Sequence, residues 1–239
     1  MRIAMWSGPR NLSTAMMYAF GARPDFAVID EPFYAAYLAR TGLAHPMRED
    51  IIASQPKEPE QVISRLLGPI PHGKPHFYQK HMSQHMIPAI PRDWIAEVTN
   101  VFLIRHPARV AASFSAKYDS PTLADIGFPQ QYELYQRLKE EGQRPAVVDS
   151  ADIRRDPEGM LRALCAAIGL PWDPAMLSWP KGGHPDDGVW AAHWYGSVHA
   201  STEFAPAEGD LPTLTDAQAG LAEAALPFYT PLYKARLSP

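Results

Sequence analysis

The 239-residue chain has one cysteine, Cys165, and no run of the roughly 18 apolar residues that a membrane helix needs. A single cysteine excludes an internal disulfide framework, a structural zinc–thiolate site and an iron–sulfur cluster. Positive charge is also short. The 22 Lys and Arg stand against 26 Asp and Glu, a formal net charge of −4, which argues against a general nucleic-acid or anionic-membrane binder. The apolar start, Met1 to Phe20, is broken by Pro9, Arg10 and Asn11, which spoils a signal-peptide reading. These absences predict a soluble, cytoplasmic globular protein with neither nucleic acid nor membrane as partner; they leave its oligomeric state open. With 46% hydrophobic residues, such a chain can bury roughly 70% of its unfolded surface. Its 25 prolines therefore mark loops and helix starts rather than disorder.

What is present is an alternation of short apolar runs and helical patterns. Ile3–Trp6, Phe26–Ile29, Phe77–Lys80, Asn100–Ile104 and Pro145–Val148 read as strands buried on both faces. Helices are expected over Leu12–Phe20, Pro59–Leu67, Pro107–Lys117, Pro157–Ile168 and Thr215–Leu226, three of them with proline in the first turn. The alternation predicts an α/β fold, a parallel central sheet flanked by helices in three layers, as one domain over residues 1–239. From about Trp172 the chain reads as an irregular, aromatic-rich tail. Cys165, within an apolar helix face, reads as a core thiol.

Two segments carry candidate chemistry. Ser7-Gly8-Pro9-Arg10-Asn11-Leu12-Ser13-Thr14 links the first strand to its helix, where ligands of parallel sheets bind and where helix N–H groups favour anions. One cation, paired hydroxyls and a glycine are the parts of an anion cradle; equally, Ser13 and Thr14 cap a helix and Arg10 is solvated. No Gly-Lys-Ser/Thr occurs, which weakens a magnesium–triphosphate reading. The second segment runs from a strand into Arg105-His106-Pro107, with Ser113 eight residues beyond Arg105. A strand-end arginine suits a bidentate phosphate contact with a helical hydroxyl as second donor.

Taken together, Arg10-Asn11-Leu12-Ser13-Thr14 and Arg105 through Ser113 resemble the motifs of the sulfotransferases that use 3′-phosphoadenosine 5′-phosphosulfate (PAPS). The resemblance covers residues 1–20 and 98–172 best and implies a P-loop-like sulfotransferase fold. It implies Arg10, Asn11, Leu12, Ser13 and Thr14 at the 5′-phosphosulfate, and Arg105 with Ser113 at the 3′-phosphate. Lys181-Gly182 resembles the end of the family's carboxyl-terminal nucleotide-closing segment. Glu31, in a Glu-Pro pair after the second strand, and His81 are alternative bases for a small-molecule acceptor. Lys80 is a second contact to the sulfuryl oxygens, although strand neighbours such as Lys80 and His81 point to opposite faces. Trp6 either packs in the sheet or faces the adenine.

PAPS is the implied co-substrate, and no metal is expected. His81 and His85 are four apart, the spacing of a metal pair on a helix, but no His-Glu-x-x-His signature accompanies them. The activity implied is sulfuryl transfer to a hydroxyl or amine of a small or carbohydrate-like acceptor. A P-loop kinase or nucleotide hydrolase, and a non-catalytic nucleotide-binding member of the fold, are the alternatives.

Overall fold

Each of the five apolar runs forms a strand. The chain, seen here as a computed structural model, is described over residues 1–238 apart from Lys117 and Asp119. Strands β1 (Arg2–Ser7), β2 (Phe26–Asp30), β3 (His76–Met82), β4 (Thr99–Ile104) and β5 (Ala146–Asp149) make one sheet in the order β2-β3-β1-β4-β5. Every neighbouring pair is parallel.

The helices are α1 (Ser13–Gly21), α2 (Tyr34–Thr41), α3 (Arg48–Ser54), α4 (Pro59–Leu67), α5 (Pro107–Ser115), α6 (Phe128–Glu140), α7 (Ser150–Arg155) and α8 (Pro157–Ile168). Two one-turn helices, α9 (Ala191–Trp194) and α10 (Gly196–His199), precede the final α11 (Asp216–Lys234). Strand alternation decides the layering. Ile3 and Met5 of β1 pack with α1, α7 and α8 on one face, where Cys165 is also buried. Ala4 and Trp6 pack with α4, α6 and α11 on the other. Both faces are covered, which is why the strands read as continuous apolar runs.

Two departures from the sequence pattern have physical causes. The last helix continues past Leu226 through Pro227 and Pro231. A proline inside a helix costs about 3 kcal/mol. Here the two lie four apart, away from the face on which Ala222, Ala225, Tyr229 and Leu232 are buried, and that face holds the helix down. Helix α6 is absent from the helices expected from the sequence; Leu134, Tyr135 and Leu138 pack it into the core. Helix α5 is described as far as Ser115, and its expected end at Lys117 lies outside the described residues.

The chain reverses its direction across the sheet between β1 and β4, where parallel sheets offer a crevice at the strand ends. Gln131 of α6 donates to the carbonyls of Trp6 (2.9 Å) and Leu103 (3.0 Å) there, satisfying both strand ends. Gly8 follows directly. A Cβ at this position would stand 2.6 Å from the carbonyl oxygen of Ile126, so only glycine lets the loop pass.

Candidate functional site

The loop after β1, the ends of β2 and β3, Arg105 just past β4 and the last turn of α5 line one cavity of about 490 Å³. Arg10 sits at its mouth with φ +56°, and Glu31 at its inner end with φ +39°. A non-glycine residue in the left-handed region costs on the order of 1–3 kcal/mol and persists only where its surroundings impose it. At Glu31 the backbone N–H donates to Lys80 O (2.9 Å) while its carbonyl accepts from Tyr34 N–H (3.0 Å). At Arg10 the carbonyl accepts from the Arg105 guanidinium.

Parallel pairing puts Asp30 in register with Lys80, and the side-chain contacts follow from it. The Lys80 ammonium, 1% exposed, donates to Asp30 Oδ1 (2.8 Å), Glu31 Oε1 (2.6 Å) and Tyr195 Oη (2.7 Å). All three of its donors are used. Burial pulls its pKa down, but Asp30 and Glu31 outweigh this and hold the ammonium charged. Burial pushes the Glu31 carboxyl above the ordinary carboxylate range, with Lys80 opposing and Asp30 assisting. Tyr195, itself a donor to Asp30 (2.8 Å), accepts from Trp190 Nε1 (3.0 Å) and ties the tail to this cluster.

At the mouth of the cavity, Arg10 Nε donates to Ser113 Oγ at 2.9 Å. Arg10, Ser13, Thr14, Arg105 and Ser113 all line the cavity, as does the start of α1, whose first N–H groups have no helical partner. Burial first, and then the neighbouring Arg105, lowers the Arg10 pKa. Arg105 also pairs with Glu208, which Arg109 (2.9 Å) and Arg154 (2.7 Å) engage from other sides. Three arginines thus hold one buried carboxylate beside the cavity.

Several expected residues stand elsewhere. His81 points to the opposite face of β3 from Lys80 and stacks on Trp6 at 4.4 Å, away from the cavity. Burial, with Lys80 adding to it, lowers its pKa to about 3, so it is a neutral, weakly basic core residue that does not reach the cavity where a base is needed. Trp6 packs in the same core and donates to Asn100 Oδ1 (2.8 Å). Lys181 and Gly182 do not line the cavity; the Gly182 N–H donates to His199 O at 2.9 Å, and Lys181 is exposed. Asn11 and Leu12 do line it, but the Asn11 amide is spent on the loop, donating to Leu103 O and accepting from Leu12 N–H. Lys80 faces the cavity, yet its saturated ammonium holds Glu31 rather than presenting a free donor. Among the described residues no group of three metal-ligating side chains occurs, and no helix is long and apolar enough to cross a membrane.

The sequence reading missed Asp30, Tyr195, Arg109, Arg154 and Glu208, and weighed His85 only as half of a metal pair with His81. Asp30, next to Glu31 at a strand end, was the one with a local signal. His85 lies between Tyr34 (4.6 Å) and Tyr37 (4.8 Å), its Nε2 4.0 Å from Glu31 Oε2. Burial holds its pKa well below the usual imidazole value.

The neutral state of His81 has a measurable consequence. Its folded pKa is depressed, so below the ordinary imidazole value the unfolded chain takes a proton the folded one refuses. Stability is therefore lost as pH falls from about 6.5 towards 3, at about 1.4 kcal/mol per pH unit for this group alone. Urea midpoints measured across that window should fall less steeply in His81→Phe than in the parent; parallel profiles would contradict this.

This sheet and cavity define an α/β protein whose strand ends gather cations onto a helix N-terminus. The chain belongs to the sulfotransferase domain family, whose family model matches residues 1–237. In sequence it is 36% identical over 230 residues to "Branched-chain-amino-acid aminotransferase-like protein 1" of Arabidopsis thaliana, covering 95% of this chain and 40% of that one. It is 34% identical over 227 residues to "Branched-chain-amino-acid aminotransferase-like protein 2" of the same plant, with the same coverage. The chain thus spans about two fifths of these relatives. In structure it resembles the "Sulfotransferase Domain from the Curacin Biosynthetic Pathway", with TM-score 0.58, 15% identity and coverage of 93% and 96% of the two chains. A sulfotransferase from Alicyclobacillus acidocaldarius gives TM-score 0.53 at 14% identity, covering 98% of this chain and 92% of that one. At such identities the likeness is one of fold.

Proposed function

We propose that the chain binds PAPS in this cavity and transfers its sulfuryl group to a hydroxyl or amine of a small acceptor. The observation that carries the reading is the convergence of Arg10 and Arg105 with the start of α1 and the buried carboxylate of Glu31 on one cavity. Two neighbouring guanidiniums, one of them partly desolvated, are an electrostatic demand that a bound polyanion meets. Arg10, Ser13, Thr14 and the α1 N–H groups serve the 5′-phosphosulfate, and Arg105 with Ser113 the 3′-phosphate. When bound, PAPS supplies a sulfuryl group on a phosphate leaving group.

The protein's part is positioning and charge. Arg10 stabilises negative charge developing on the leaving oxygen; a guanidinium does not give up a proton, so this role is electrostatic. Glu31 takes the proton of the acceptor O–H as that oxygen bonds to sulfur and the sulfur–oxygen bond to the 5′-phosphate breaks. Lys80 and Tyr195 are positioning residues that hold Glu31. Glu208 competes with the nucleotide for Arg105.

The test is a thermal-shift titration with 3′-phosphoadenosine 5′-phosphate (PAP), against ATP with magnesium. PAP at a hundred times its Kd should stabilise the protein by about 2.7 kcal/mol. Arg105→Ala should abolish the shift, and Glu208→Gln should tighten binding several-fold by removing the internal competitor. Stabilisation by ATP–magnesium alone would sink the reading, and PAP binding without transfer to any acceptor would favour a non-catalytic module.

A further inference from the structure

Beyond Glu31 the cavity has a second half, walled by aromatic rings and biased towards negative charge. Tyr118 stacks on Phe114 at 4.5 Å and faces Trp194 at 5.8 Å, while Tyr34 and Tyr37 close the other side around His45 and His85. All of these side chains line the cavity. Two carboxylates line the same half, Glu31 at the inner end and Asp125 at the outer. Asp125 accepts from Thr122 N–H (2.8 Å) and Thr122 Oγ (2.7 Å), and among the described residues it has no cation beside it.

The charge balance of this half is uneven. Among the described residues its one ammonium, Lys80, is shared between Asp30 and Glu31, so with Asp125 the carboxylates exceed it. His45 and His85 add no compensating charge, since burial depresses both. The negative field reaches the rings: after burial, Asp125 helps to raise Tyr37 to about 12, and Asp125 and Glu31 both raise Tyr118. The cavity's guanidiniums, Arg10 and Arg105, belong to the opposite, nucleotide-facing half, where Arg105 is already paired with Glu208. Aromatic faces together with a carboxylate, Asp125, that has no cation beside it among the described residues form the combination that attracts organic ammonium ions, each ring contributing a cation–π contact.

We infer that the acceptor is a small alcohol or phenol that also bears an ammonium group, with the ammonium among Tyr37, Tyr118 and Trp194 near Asp125 and the hydroxyl towards Glu31. This rests on the sulfotransferase reading for the word acceptor, but the cation site stands on the cavity itself. An anionic acceptor is disfavoured by the same carboxylates, and a neutral one leaves Asp125 without a counterpart.

The experiment is calorimetric binding of matched pairs that differ only in charge, first to the free protein and then to the protein saturated with PAP. The pairs are choline with 3,3-dimethylbutan-1-ol, and tyramine with 4-propylphenol. The ammonium member of at least one pair should bind about tenfold more tightly than its neutral partner. Asp125→Asn should erode that preference several-fold while leaving the affinity of the neutral member and of PAP unchanged. Neutral members that bind as well as or better than both ammonium members, including equal failure of all four, would overturn the inference. So would an Asp125→Asn protein with the parent's preference intact. Binding of PAP without any ammonium preference removes this inference alone; ammonium preference without PAP binding removes the sulfotransferase reading and leaves the cation site.

Discussion

Glu31→Gln is expected to lower kcat by about two to four orders of magnitude while PAP binds as before. The substitution keeps the shape of the side chain and an oxygen for Lys80, and it removes the charge and with it the capacity to take a proton; Asp30 still pairs with Lys80. The pH profile sharpens the test. Only the ionised carboxylate is a base, and burial holds Glu31 above the ordinary carboxylate range. Activity should therefore rise with pH through that elevated value, and this limb should vanish in the variant. The stability sign runs the other way. A raised folded pKa means that Glu31 favours the folded state below the ordinary carboxylate value, and this contribution is lost as pH rises through the folded value. Turnover is gained across the window in which that stability is given up. Full activity in Glu31→Gln would move the base elsewhere, with His85, 4.0 Å from Glu31 Oε2, the nearest imidazole of the cavity.

Lys80→Met should destabilise the protein by about 3–5 kcal/mol, because it leaves Asp30 and Glu31 buried side by side without their shared cation. For a chain of this size that is a drop in Tm of roughly 6–20 °C. The cost is that of a broken charge cluster rather than of the ion pairs themselves, so adding Asp30→Asn and Glu31→Gln to Lys80→Met should recover most of it. Lys80→Arg is not a conservative alternative: a planar fork does not fit three acceptors arranged around a point charge. Denaturation of the single and triple variants checks both statements. A single variant within about 1 kcal/mol of the parent would show that Lys80 is not the charge that holds this end of the cavity together.

The legibility of the fold differs from that of the site. All five strands and the helices Pro59–Leu67 and Pro157–Ile168 lie where the sequence pattern puts them, because each depends on side chains within a few residues. Helix α6 and the second half of α11 were hidden, since packing against the sheet and against α5 overrides their proline-laden or polar sequences. In the site, the loop from Ser7 to Thr14 and the pair Arg105 and Ser113 were readable as short spacings. The partners that give these residues their state were not. Glu208 reaches Arg105 across 103 positions and Tyr195 reaches Lys80 across 115, from a tail with no regular pattern.

The adjacent pair Lys80-His81 shows where the division falls. By itself the sequence determined that the two side chains leave β3 on opposite faces, since strand geometry alternates regardless of context. It also determined that Arg10 and Arg105 stand at strand ends, because apolar runs stop there. Which face holds the cavity was decided only by the tertiary structure. Pairing of β2 with β3 in register sets Asp30 and Glu31 against Lys80, and helix packing closes Trp6 and Trp94 over His81. Burial then sorts the pair chemically, because a low-dielectric surrounding keeps an ion only where opposite charge is in contact. Lys80 finds two carboxylates and stays charged; His81 finds aromatic rings and is neutral.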